Sequence, residues 1–81
     1  MKIERKSSIS PIVLIVGENI KKIIFEKKLR QRDVAHDAGL DVENLRKYIK
    51  GTQEMKISKL LKISHALNIE PSELLKNLNI E

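Results

Sequence analysis

The 81-residue chain contains no cysteine and no tryptophan, and its only aromatic side chains are Phe25 and Tyr48. Without cysteine there is neither a disulfide framework nor a cysteine-based zinc site. The lack of disulfides fits a reducing, cytoplasmic setting. Two aromatics cannot build the stacking platforms on which single-stranded nucleic acids are read. The longest apolar run, Ile12 to Val16, is far below the roughly 20 residues a membrane helix needs. Pro11 precedes this run and no small-residue cleavage site closes it, so neither a membrane span nor a signal peptide is expected. The three glycines and two prolines make no phosphate-cradling loop. His36 and His65 stand apart in sequence without companion ligands and read as exposed polar residues. No Ser/His/Asp set and no carboxylate pair with a plausible pocket is present. An enzyme, a metal site and a cofactor are all unexpected.

What the chain does have is 41% hydrophobic and 33% charged residues, the mixture of one small folded domain rather than a disordered tail. The net charge is +5. Residues 1–30 carry 8 basic and 3 acidic side chains, whereas 31–51 and 52–81 carry 4 of each. The surplus therefore lies in the N-terminal third. It points to an anionic partner, but charge alone gives only non-specific attraction.

Apolar residues recur at helical spacing through most of the chain. Val13, Val16, Ile20, Ile23 and Ile24 share one face, and Ser10-Pro11 reads as an N-cap and first helical position. These predict a helix over 11–28. Gly17 and the β-branched residues before it leave a second reading open, a short strand at 12–16 with the helix starting at Gly17. Residues 31–38 predict a two-turn helix with Val34, Ala35 and Ala38 inward, ended by a left-handed Gly39. Asp41 is the expected cap of a helix over 42–50, with Leu45, Tyr48 and Ile49 inward and Gly51 as its stop. A fourth helix over 57–67 would bury Ile57, Leu60, Leu61, Ser64 and Leu67. A fifth over 71–78, opened by Pro71, would bury Leu74, Leu75 and Leu78. No alternation of period two supports a sheet. The fold class is all-α, a compact five-helix domain over 11–81 behind a basic arm at 1–10.

A helix ending at Gly39, a turn through Leu40 and Asp41, and a second helix, with small Ala35 opposite Leu45, fit a helix-turn-helix. The residues Ile20, Leu29-Arg30-Gln31, Val34-Ala35, Ala38-Gly39-Leu40, Leu45, Gly51, Leu60 to Ser64, Ala66-Leu67 and Pro71 to Leu75 occur in this order and spacing. Over roughly 17–76 the chain thus resembles the Cro and phage-repressor-like (XRE-like) helix-turn-helix family. The resemblance implies a lambda-repressor-like fold with the helix-turn-helix at helices 2 and 3. That family commonly has Arg at position 24 and Glu at position 49, an ion pair; here both are isoleucine. Replacing both members by apolar residues is physically tolerable, whereas replacing one would strand a charge. Ile24 and Ile49 are therefore expected to touch, within ~4.5 Å. Lys28, Met55 and Arg30 stand where the family often has Gly, Pro and a Ser or Thr cap.

The resemblance also implies roles. Val42, Glu43, Asn44 and Lys47 would read base edges. Glu accepts from cytosine N4, Lys donates to guanine O6/N7, and Val contacts a thymine methyl. Arg30, Gln31, Arg46, Lys50, Thr52, Gln53 and Lys56 would meet phosphates. The plainer readings are a solvated helix face, with Arg46 paired to Glu43, and an ordinary polar turn. Ile9, Ile12, Leu14 and Ile15 fall outside the inward stripe and are the expected dimer interface; the alternative is that they cap the domain's own core. Lys2, Arg5 and Lys6 form either a basic arm along DNA or a free tail. The expected function is a sequence-specific regulator of transcription, a homodimer reading a short palindrome in double-stranded DNA. The alternative is an antitoxin or other module whose main contact is a protein, such as a toxin or regulator.

Overall fold

The computed structural model describes residues 10–78. Four α-helices follow in order, α1 (Pro11–Glu26), α2 (Gln31–Asp37), α3 (Val42–Lys50) and α4 (Ile57–Ala66), and a 3-10 helix (Pro71–Leu75) ends the domain. No strand occurs among the described residues. The basic arm with Lys2, Arg5, Lys6 and Ile9 lies outside them.

Residues 12–16 are helical, not a strand. The Ser10 hydroxyl accepts from the Ile12 amide at 3.2 Å, and Pro11 has no amide to satisfy, so the first turn is closed where sequence placed it. Asp41 occupies the N-cap of α3 in extended geometry but makes no side-chain cap bond. That expected contact is absent.

All four α-helices end in the same two-bond closure around a left-handed residue. After α2, the Leu40 amide donates to the Ala35 carbonyl (2.8 Å) and the Gly39 amide to His36 (3.1 Å). After α1, Leu29 donates to Ile24 (3.0 Å) and Lys28 to Phe25 (3.1 Å). The left-handed residues are Lys28, Gly39, Gly51 and Asn68, with φ of 58°, 71°, 74° and 59°. Glycine enters this region without strain and asparagine at small cost. Lys28 is the strained member. The first helix thus stops two residues earlier than the expected 28, because the lysine must leave helical geometry for the chain to reverse.

The core is almost entirely aliphatic. Val16, Ile20 and Ile24 of α1 meet Val34, Ala35 and Ala38 around α2, Leu45 and Tyr48 of α3, Ile63 and Leu67 around α4, and Leu74. Ile49 packs against this cluster as a half-buried neighbour. Gly17 is buried where α1 passes under the end of α3. A Cβ built there would collide with the Tyr48 carbonyl oxygen and lie 2.6 Å from that of Ile49. The glycine that weakened a helical reading of residues 11–28 is what lets the two backbones approach.

Two expected faces are corrected. In α4 the buried stripe is Ile63, Ser64 and Leu67, with Leu60 half-buried; Ile57 is 77% exposed and Leu61 47%. Ile57 opens the helix beyond the reach of the core. The buried Ser64 hydroxyl is satisfied by donating to the Leu61 carbonyl at 2.8 Å. The fifth element is a 3-10 helix that stops at Leu75 instead of an α-helix to 78. Leu74 is buried, Leu75 is exposed and Leu78 is half-buried. The Asn19 side-chain amide donates to the carbonyls of Leu74 (3.0 Å) and Lys76 (2.9 Å). Lys76 is itself extended, with ψ 152°.

Candidate nucleic-acid interface

The chain from Gln31 to Gly51 makes a helix, a four-residue turn and a second helix. Ala35, Ala38 and Leu45 are buried between them, at 1%, 3% and 0% exposure. The small side chains of α2 let α3 cross closely, and Gly39 supplies the reversal. Packing turns Leu45 and Tyr48 inward. That fixes what α3 presents outward: Glu43, Arg46, Lys47 and Lys50, at i, i+3, i+4 and i+7, form one exposed stripe along the helix. Glu43 lies in the first turn and Lys47 and Lys50 in the last, in the sense the helix dipole favours.

The other expected base readers are less free. Val42 is half-buried against the core, and Asn44 is half-buried on the flank of the stripe. Arg46 and Glu43 form an ion pair across one helical turn, Nη1 to Oε2, at 2.8 Å.

Among the expected phosphate contacts, Arg30 is exposed at the N-cap of α2 without a cap bond, and Gln31 is half-buried at its first position. Lys50, Thr52, Gln53 and Lys56 are exposed along the end of α3 and the following loop. Thr52 is partly committed, since its amide (3.0 Å) and hydroxyl (3.2 Å) both donate to the Lys47 carbonyl. The hydroxyl's lone pairs remain, but its proton, the part a phosphate would accept, is already committed.

The expected dimer residues separate. Leu14 lies over Gly51, where a Cβ would come within 3.0 Å of its Cα and Cγ. Ile15 is half-buried. Ile12 borders an apolar groove with Met55, Leu60 and Leu75. Leu14 is thus an internal contact as much as a free surface. His36 and His65 are exposed, as expected. No cluster of three or more potential metal ligands occurs among the described residues, and no helix there is long and apolar enough to cross a membrane. Gly17 and Asn19, which hold α1 to α3 and to the 3-10 helix, carried no local signal of these roles, because their partners lie some 30 and 55 residues away.

A short helix held across a glycine turn, with a polar stripe facing out, is a geometry compatible with a helix-turn-helix. The chain matches the Cro/C1-type HTH DNA-binding domain over residues 19–77, and it belongs to that family. Among solved structures it is similar to the restriction-modification controller protein C.AhdI from Aeromonas hydrophila. The two are 29% identical with a TM-score of 0.74, over 76% of this chain and 94% of that one. The wild-type controller protein C.Esp1396I is 26% identical with a TM-score of 0.75, over 80% of this chain and 84% of that one. The clp gene regulator ClgR from Corynebacterium glutamicum shares the fold at 18% identity, with a TM-score of 0.78 over 83% of this chain and 71% of that one. No curated protein matches the chain.

Proposed function

We propose that the protein is a sequence-specific regulator of transcription in the cytoplasm, a homodimer that reads a short palindrome in double-stranded DNA. The helix-turn-helix unit is α2 with α3, and α3 lies in the major groove. Two such helices would sit about one helical turn apart on the duplex. The single observation that carries this is the exposed stripe Glu43, Arg46, Lys47 and Lys50, held rigidly by the buried residues on the opposite face of the same helix. Lys47 donates to guanine, Glu43 accepts from cytosine N4, and the methyls of Val42 that stay outside the core touch a thymine methyl. Arg30, Gln31, Arg46, Lys50, Gln53 and Lys56 fix the register on the phosphates. Residues 31–51 carry no net charge, so recognition rests on this geometry and not on bulk attraction. The likeness to two controller proteins above 25% identity supports a regulatory role.

Selection from random duplexes at rising salt tests the reading. Enrichment of one sequence, lost in Lys47→Ala and Glu43→Ala, supports it; no enriched sequence at any salt refutes it. A second reading, a module whose main contact is a protein, draws on the apolar residues left in solvent around Ile12 and Leu75. Removing residues 1–15 would delete the buried Val13 and the first turn of α1 and so cannot test it. Sedimentation of Ile12→Ser with Leu75→Ser tests instead whether the homodimer of the first reading forms at this groove: a monomer that still binds half-sites supports that, and unchanged association argues for a dimer formed elsewhere.

A further inference from the structure

The outer stripe of α3 carries three cations and one anion. Only Arg46 of the three is engaged, by Glu43 at 2.8 Å; no ion pair among the described residues holds Lys47 or Lys50. Both partners are exposed, at 49% and 65% of their side-chain surface, so the contact contributes little to folding. Its position gives it another consequence. On the DNA-facing side of the helix, the pair cancels one positive charge at the point where a groove wall of phosphates would approach. Glu43 engages only Nη1 of Arg46, so Arg46 brings its full positive charge to a phosphate only by leaving Glu43, and the freed carboxylate is then a bare anion inside an anionic groove. That arrangement is unfavourable unless a donor replaces the guanidinium. The major-groove edge of cytosine supplies such a donor, the N4 amino group.

We infer that Glu43 and Arg46 act together as a specificity device, in which Arg46 is released to the backbone only where a cytosine edge satisfies Glu43. This rests on the DNA-reading role proposed for α3. Against other sequences the closed pair is favoured and Arg46 adds less to non-specific adhesion. Glu43 thereby sharpens the ratio of specific to non-specific binding more than it raises affinity. The basic residues outside the helix-turn-helix supply adhesion regardless of sequence, which is why such a restraint on α3 is useful. An exposed pair one turn apart is worth roughly a twofold bias. Release of Arg46 to one phosphate adds about 0.9 to the steepness of log affinity against log salt.

The test measures binding by fluorescence anisotropy, across a salt series, to a duplex selected from the random pool and to a scrambled one. The proteins are wild type, Glu43→Gln, Arg46→Ala and the double variant, each checked for a native circular dichroism spectrum. Glu43→Gln is expected to tighten the scrambled duplex roughly twofold, to steepen its salt dependence by about 0.9, and to lower the selected-to-scrambled ratio. In the Arg46→Ala background the same substitution should leave the slope unchanged and give a smaller gain. Equal gains and equal slopes in the two backgrounds overturn the coupling while the DNA-reading role stands. Failure of the wild type to prefer any duplex overturns that role and the inference with it.

Discussion

Gly17→Ala places two effects of opposite sign at one position. In an exposed helix interior, glycine is less favourable than alanine by about 1 kcal/mol, so propensity alone would stabilise the variant. Packing says otherwise. The new methyl would sit 2.6 Å from the Ile49 carbonyl oxygen and closer still to that of Tyr48. Ordinary contact begins at 3.4 Å, so α3 must retreat by about 1 Å, or α1 must tilt. Neither obstacle is a flexible side-chain end; both are backbone in the last turn of α3. Overpacking of this kind costs about 1–3 kcal/mol. Set against the propensity gain, a net loss of up to about 2 kcal/mol is expected. For a domain this small that lowers Tm by roughly 4–8 °C per kcal/mol. The assay is thermal and urea unfolding, with exposed Glu18→Ala as the control for propensity without collision. The control should stay within about 0.5 kcal/mol of wild type. Because the displaced turn carries Lys47 and Lys50, DNA affinity should fall even where Gly17→Ala remains folded. A Gly17→Ala protein more stable than wild type would refute the close-approach argument.

Other predictions follow from the same packing. Lys28→Gly relieves a left-handed lysine, a strain of roughly 1–2 kcal/mol set against the greater backbone entropy of glycine; the urea midpoint should rise by the equivalent of about 0.5–1 kcal/mol, and a fall would refute it. Ile24→Arg puts an unpaired charge in the core and should cost about 3–5 kcal/mol. Adding Ile49→Glu should recover a large part of that loss in a double-mutant cycle, and zero coupling would show that the two positions do not meet. Asn19→Ala removes two hydrogen bonds to the 3-10 helix and should cost about 1–2 kcal/mol, with faster amide exchange confined first to residues 71–75. Uniform exchange across the chain would argue against a local clasp.

Local chemistry made much of this protein legible in its sequence. Ser10-Pro11, Gly39, Gly51 and Pro71 mark helix ends because their constraints act within a turn of the chain, and the apolar residues at 3.6 spacing mark the inward faces of α1, α2 and α3. The candidate reading face follows from the same periodicity: once Leu45 and Tyr48 point in, Glu43, Lys47 and Lys50 point out. Distant partners decided the rest. Whether Gly17 was a weak point or a close contact depended on α3, some 30 residues on. Residues 71–78 do not form the expected α-helix, and Asn19 takes the Leu74 carbonyl that such a helix would have paired with residue 78. Ile57 lies on an apolar stripe yet stays in solvent because no described element covers the first turn of α4. Periodicity determines which side of a helix is apolar; only the packed neighbours decide how much of that side is buried and which side-chain pairs, such as Glu43 and Arg46, close.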